Sequence, residues 1–421
     1  MTNNPNILDY GRPRFDKRRI IVPLVITSLL ASIVVMFVSI RQNYSVLGLA
    51  SVLVLLAALI PVLIRNLGTA ASSAFFMGLA FLATILIWGL SLITSLAHVH
   101  WYVCIIGGIG TLAIPMLIEN VLLRLLENTR VGAVARVTYY EAILHPFTLI
   151  VVVVAMLFLF IMCFVPFYTF NEEQKFYREL ASSVSLLAAL VIMIFGSAKV
   201  IDEEIESRTM LTLMSKPISR WQVILGKYIG VVCLIFVVLA TLGLLGAICN
   251  YLRYYDDMRI DLGIAGNRAE YNRLMFENVK GALAMGPLAA LAFLQVVTLA
   301  AISVAVSTRW GLALNVTVVA LLYILANLAR LLPDAEGIPQ PWRAIVVHLS
   351  YILPYLGNFD LTQALVYREF TITSLGEAAR PGILTFGEIW RYVGIVTIDA
   401  ALYITAALGL ATAMFRTREL T

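Results

Sequence analysis

Ten apolar stretches of about 20 residues dominate this chain and leave it few ways to fold. They run over 20–40, 46–64, 74–97, 101–121, 147–167, 181–200, 226–249, 284–306, 311–331 and 393–415. A helix of about 20 residues crosses the ~30 Å hydrocarbon core of a bilayer. In that medium every backbone N–H and C=O must be satisfied, which a helix does within one segment and an open strand does not. Composition agrees: of 421 residues, 61% are hydrophobic and 13% charged, against about 25% charged in soluble domains. In water such a chain would expose extended apolar patches. The predicted fold class is an all-α polytopic membrane protein with about ten transmembrane helices.

The first of these runs, Ile20–Ile40, follows a polar tail (1–19) holding Arg12, Arg14, Lys17, Arg18 and Arg19. It is longer than the apolar region of a signal peptide, and no small-residue cleavage site follows it, so it reads as a retained first helix. Ten crossings put both termini on one side. On that side lie the basic tail, Arg65, Arg124, Arg130, Arg136, the basic residues between Lys199 and Lys227, Arg309, Arg416 and Arg418. Most of the remaining basic residues fall in two long segments, which weigh little in the positive-inside rule. Both termini are therefore expected in the cytoplasm.

Several function classes find no support. The net charge of +5 is spread along the chain, without the basic run interleaved with aromatics that nucleic acid calls for. Cys104, Cys163, Cys233 and Cys249 lie in or beside apolar runs and form no C-x-x-C, so neither a disulfide framework nor a zinc site is expected. His98 and His100, beside Trp101 and Cys104, stand two apart without an evident third ligand, and no metal is assigned to them. No Ser/His/Asp or Cys/His set suggests an enzyme. Asp399, about two turns inside the last predicted helix, is the candidate intramembrane polar residue, with a transport or a structural role. Glu119 and Asn120 read as interfacial. Gly226-x-x-x-Gly230 and the Gly243/Gly246 pair are small-residue patterns that let helices approach closely.

The polar segments divide the chain. Four sparsely decorated helices occupy 20–128, and a second part runs over 129–421. In it, 129–146 is amphipathic and ends at His145-Pro146, 250–283 and 332–392 read as outer loops, and Ala344–Leu353 is too short to span. The most informative stretch is the loop 201–220. Asp202, Glu203, Glu204, Glu206 and Arg208 surround Ile201, Ile205, Leu211 and Met214, the spacing of a short amphipathic surface helix. Glu204 stands four residues before Arg208, the favoured order for a helical ion pair. Pro217 ends that helix. Ser219 with Gln222 forms a capping box for the next one, and Ile218 with Val223 a hydrophobic staple. The reading is a rigid projection into the cytoplasm, though any loop between helices needs caps and charges.

Specific residues give this region a family likeness. Glu204-x-Glu206-x-x-Thr209, Leu213-x-Ser215-x-Pro217-x-Ser219-Arg220 and Leu225-Gly226-Lys227 resemble the cytoplasmic loop of ABC-2 type permeases. The subgroup most resembled is the one associated with copper-enzyme maturation and gliding motility. Ala135–Glu141, including Arg136, is similar to the amphipathic elbow helix that opens the family core. Leu353-Pro-Tyr-Leu-Gly-Asn-Phe-Asp360 resembles the segment before its last helix, and Phe415–Leu420 its basic C-terminal end. Arg208 departs from the family, where glycine commonly precedes the threonine. The resemblance covers roughly 129–421 and implies a six-helix permease core preceded by four extra helices in the cell's inner membrane.

That resemblance also implies a mechanism. The cytoplasmic helix would dock into a separate ATP-binding subunit through Glu203, Glu204, Glu206, Arg208 and Thr209, with Ser215, Pro217, Ser219 and Arg220 shaping the loop. ATP and Mg would sit on the partner, since this chain lacks G-x-x-x-x-G-K-[ST] and carries no cofactor of its own. A homodimer, or a pair with a related permease, is implied. Two other readings stand beside it. An ion-gradient-driven secondary transporter would want charges and broken helices near the midplane, and here the midplane is nearly charge-free. A membrane scaffold would share the docking loop without moving a substrate. The sequence names no substrate.

Overall fold

The structure, a computed structural model, describes residues 129–165, 172–206, 219–265, 268–328, 356–375 and 380–416, which lie within one compact unit, Gly110–Thr421. The four helices expected before residue 122, His98, His100, Cys104, Glu119, Asn120 and the stretch Ala344–Leu353 lie outside the described residues.

The described residues open with α1 (Arg130–Ile143). Thr129 caps it, its Oγ1 accepting from the Gly132 N–H at 3.0 Å. Its buried positions, Gly132, Ala135, Tyr139, Ala142 and Ile143 with Val134 and Thr138, make one continuous face. The His145-Pro146 pair turns the chain. Pro146 occupies the first turn of α2 (Pro146–Phe164), where a missing N–H costs nothing, and His145 Nδ1 accepts from Phe147 N–H at 3.2 Å.

Long helices follow: α3 (Glu173–Glu206) and α4 (Arg220–Ala265), then α5 (Arg268–Leu283), α6 (Met285–Ser307) and α7 (Leu312–Leu328). A short segment of 3₁₀ turn (Leu356–Phe359) and π turn (Gln363–Tyr367) leads to β1 (Phe370–Thr371), which pairs in parallel with β2 (Leu384–Thr385). The last helix is α8 (Phe386–Arg416). Among the described residues five helices, α2, α3, α4, α6 and α8, contain stretches long and apolar enough to cross a membrane, α6 together with the end of α5; α7 is apolar but shorter. These six overlap the six segments predicted after residue 129.

Four local expectations are corrected. The segment 250–283, expected as an outer loop with no helix of its own, is helical: α4 runs on for 46 residues, about 69 Å at 1.5 Å per residue, and α5 follows it. The last helix begins at Phe386 rather than 393, inside the stretch expected as the loop 332–392. Residues 201–206 do not start a separate helix but continue α3 without a break. Asp399 consequently lies about 20 Å along α8 from its first residue, deeper than two turns.

The helices alternate in direction. The start of α1, the end of α3, the starts of α4 and α7 and the end of α8 gather at what we term the near end. Glu173, Arg253 and the segment 356–375 mark the far end. Buried residues of α3, α4 and α6 form the core, including Met193, Val231, Ile235, Val296, Ala300 and Val304, with Phe415 of α8 against them. A buried polar chain crosses it: Ser197 Oγ lies 2.5 Å from Ser303 Oγ, and Asn315 Nδ2 donates to Ser303 Oγ at 2.9 Å. Apolar side chains are exposed outward, among them Ile150 and Val154 on α2 and Ile398 (64% exposed) on α8. In water such faces would be a liability; acyl chains accept them. Trp221 and Trp310 stand half-exposed at the near end and Trp390 at the far end, the placement of interfacial aromatics.

Candidate functional site

Of the residues predicted to couple this chain to a partner, Glu203, Glu204, Glu206, Ser219 and Arg220 lie at the near end. α3 carries Glu203, Glu204 and Glu206 on unbroken helical backbone, past the apolar stretch that closes at Ser197. Nine residues at 1.5 Å each place Glu206 about 14 Å beyond that stretch. Arg208, Thr209, Ser215, Pro217 and Ile218 lie outside the described residues. The chain returns at Ser219, whose N–H donates to Gln222 Oε1 at 3.1 Å, one arm of the expected capping box.

Arg220 ties this return to the last helix. Its Nη1 donates to the Phe415 carbonyl at 3.0 Å, and its guanidinium carbon stands 5.7 Å from the Phe415 ring. A cation at the end of α8 meets both the negative end of the helix dipole and an aromatic face. Sequence reasoning places Arg220 in the loop but does not find Phe415 as its partner; the only signal is a basic residue opposite a C-terminal helix end.

About two to three turns further on, α4 crosses α1 at very close range. A Cβ on Gly226 would lie 2.7 Å from Val134 Cβ and 2.8 Å from the Val131 carbonyl. On Gly230 it would lie 2.7 Å from both the Ala135 carbonyl and Thr138 Cβ. The two glycines thus make the groove that α1 fills, the close approach their spacing suggests. Arg136 of α1 stacks on Tyr140, its guanidinium carbon 5.7 Å from the ring, and Glu141 is exposed. Gly243, farther along, faces Ala289 of α6 at 3.1 Å in the same sense.

The far end is held by arginines. Arg253, 8% exposed, pairs with Glu173 at 2.6 Å and donates to the carbonyls of Met162 and Cys163 at 3.0 and 3.3 Å. These are the last carbonyls of α2, which a helix leaves unsatisfied. Arg178 reaches the carbonyls of Leu365 and Val366 in the π turn, each at 3.5 Å. Tyr367 donates to Glu179, and that bond pushes the Tyr367 hydroxyl above its ordinary pKa. Asp399 is half-buried on α8, about 24 Å along that helix from Phe415, which Arg220 meets. Among the described residues no group of three or more His, Cys, Asp or Glu could hold a metal ion.

No curated protein matches the chain. The protein-family model described as ABC-2 family transporter protein matches residues 143–420, from the end of α1 through α8. With five helices able to cross a membrane among its described residues, this chain is a multi-pass integral membrane protein and belongs to the ABC-2 transporter family.

Proposed function

We propose that the chain is the membrane-spanning permease subunit of an ATP-driven exporter, coupled through the 201–220 segment to a separate ATP-binding subunit. The observation that carries this reading is the family match over residues 143–420. The near-end geometry supports it. Any displacement of the segment between Glu206 and Ser219 acts on α3 at one side and α4 at the other, and Arg220 passes it to α8. The packing of Gly226 and Gly230 on α1 passes it to that helix. ATP and Mg belong on the partner chain. Both termini face the cytoplasm of a cell whose inner membrane holds the protein, and two permeases, identical or related, form the pathway. The loop motif favours the copper-enzyme-maturation and gliding-motility subgroup.

The test is a detergent pull-down of the full chain with mass spectrometry, beside a Glu203→Lys/Glu204→Lys variant. Co-purification of an ATP-binding subunit that the charge reversal abolishes is expected. Absence of any ATPase under gentle conditions, with the variant behaving as wild type, would sink the reading.

A further inference from the structure

A cavity of about 420 Å³ opens in the far half of the bundle, between α3, α6, α7 and the segment 356–363. That is the size of a small-molecule site. Its lining departs from the apolar character of the helices around it. Glu179 and Asp360 contribute carboxylates, Gln295 and Asn327 amides, and Tyr323 and Phe359 aromatic rings. No lysine, arginine or histidine lines it among the described residues.

Gln295 is the second, independent observation. It sits within α6, is 6% exposed, and is not among the fully enclosed polar side chains that lack a partner, so the little of it that is accessible opens on the cavity it lines. Asn327 Nδ2 donates to the Tyr323 carbonyl at 2.9 Å, which leaves its oxygen available. Glu179 accepts from Tyr367, and a carboxylate has about four lone-pair sites, so acceptor capacity remains.

We propose that this cavity binds an organic cation, a solute carrying a protonated amine beside an aromatic or apolar body. The ammonium would donate to Glu179 and Asp360, the rings of Tyr323 and Phe359 would meet the body or the cation face, and Gln295 would take a remaining polar group. An anion is disfavoured by two carboxylates in a lining that holds no basic side chain among the described residues. That such a ligand is cargo rests on the permease reading; that it binds does not.

The experiment is equilibrium dialysis of the full chain in lipid nanodiscs against tryptamine, with tryptophol as the neutral isostere and indole-3-acetate as the anion. Tryptamine is expected to bind about tenfold more tightly than tryptophol, as one charge contact worth a decade implies, and indole-3-acetate not measurably. Glu179→Gln is expected to erase the preference for the amine, and Gln295→Leu to weaken tryptamine severalfold. Asp360→Asn serves as a second charge variant should Glu179→Gln fold poorly. Equal binding of tryptamine and tryptophol, binding that both charge variants retain, or no binding of any of the three overturns the proposal. Because no ATPase is present, a negative result here leaves the pull-down result standing, and the reverse.

Discussion

The crossing of α4 over α1 gives a prediction whose sign the structure fixes. In Gly230→Ala the new methyl would sit 2.7 Å from Thr138 Cβ and from the Ala135 carbonyl. Carbon atoms rest at about 3.5–4.0 Å, so the helices must part by about 1 Å. The obstacle on one side is backbone, which cannot rotate away. Parting by that much forfeits a quarter to a half of the dispersion well across the contact, and overpacking of this kind costs about 1–3 kcal/mol. Gly394 and Gly409 of α8 are the controls, because nothing lies within 4 Å of a Cβ there. Alanine at those helical positions should stabilise by about 0.5–1 kcal/mol through lower backbone entropy. Gly243→Ala, at 3.1 Å from Ala289 Cβ, should fall between. The assay is thermal unfolding of the detergent-solubilised chain at one heating rate, since such transitions depend on scan rate. At about 2–4 °C per kcal/mol, Gly230→Ala should melt several degrees lower while Gly409→Ala does not. A Gly230→Ala protein that melts at or above wild type would refute the close-approach argument.

Two further outcomes follow from the far end. Arg253→Met removes the partner of Glu173 and the donor to the Met162 and Cys163 carbonyls; breaking such a pair costs about 3 kcal/mol, read as lowered melting, and Arg253→Lys should restore only part because it lacks the fork. The Tyr367 hydroxyl is raised above its ordinary 10.0 chiefly by its bond to Glu179. The protonated phenol is the form the fold favours, so its contribution is complete below about pH 10 and fades as pH rises through the higher folded value. Wild type should therefore lose more melting temperature than Tyr367→Phe as pH rises past 10.

Legibility in the sequence followed the solvent. Where lipid dictates backbone satisfaction, as in 147–167 or 226–249, an apolar run of the right length sufficed to place a helix. Where the chain leaves lipid, polarity says nothing of backbone, and a stretch with the composition of a loop is the helical continuation of α4 to Ala265. Small-residue spacing announced a close crossing at Gly226 and Gly230, but the identity of α1 as the partner depends on tertiary geometry that no local pattern carries. The cavity was invisible for the same reason: Glu179, Gln295, Tyr323 and Asp360 are far apart in sequence and meet only when three helices and a short segment pack.

One helix joins the two proposed functional regions. Glu179 of the cavity and Glu203 of the proposed coupling segment both lie on α3, 24 residues apart, or about 36 Å along an unbroken helix. A tilt imposed at the near end must then move the cavity wall, whereas a broken helix would absorb it. Coupling is reciprocal in binding free energy, so a partner that closes on ATP should change the affinity of the cavity, and tryptamine should change the affinity of the partner by the same factor. The measurement is tryptamine dialysis of the reconstituted complex with and without a non-hydrolysable ATP analogue. A shift of about fivefold or more, lost in Glu203→Lys/Glu204→Lys, is expected from coupling energies of at least about 1 kcal/mol. An affinity that the nucleotide leaves unchanged in wild type would mean that α3 does not transmit motion between its ends.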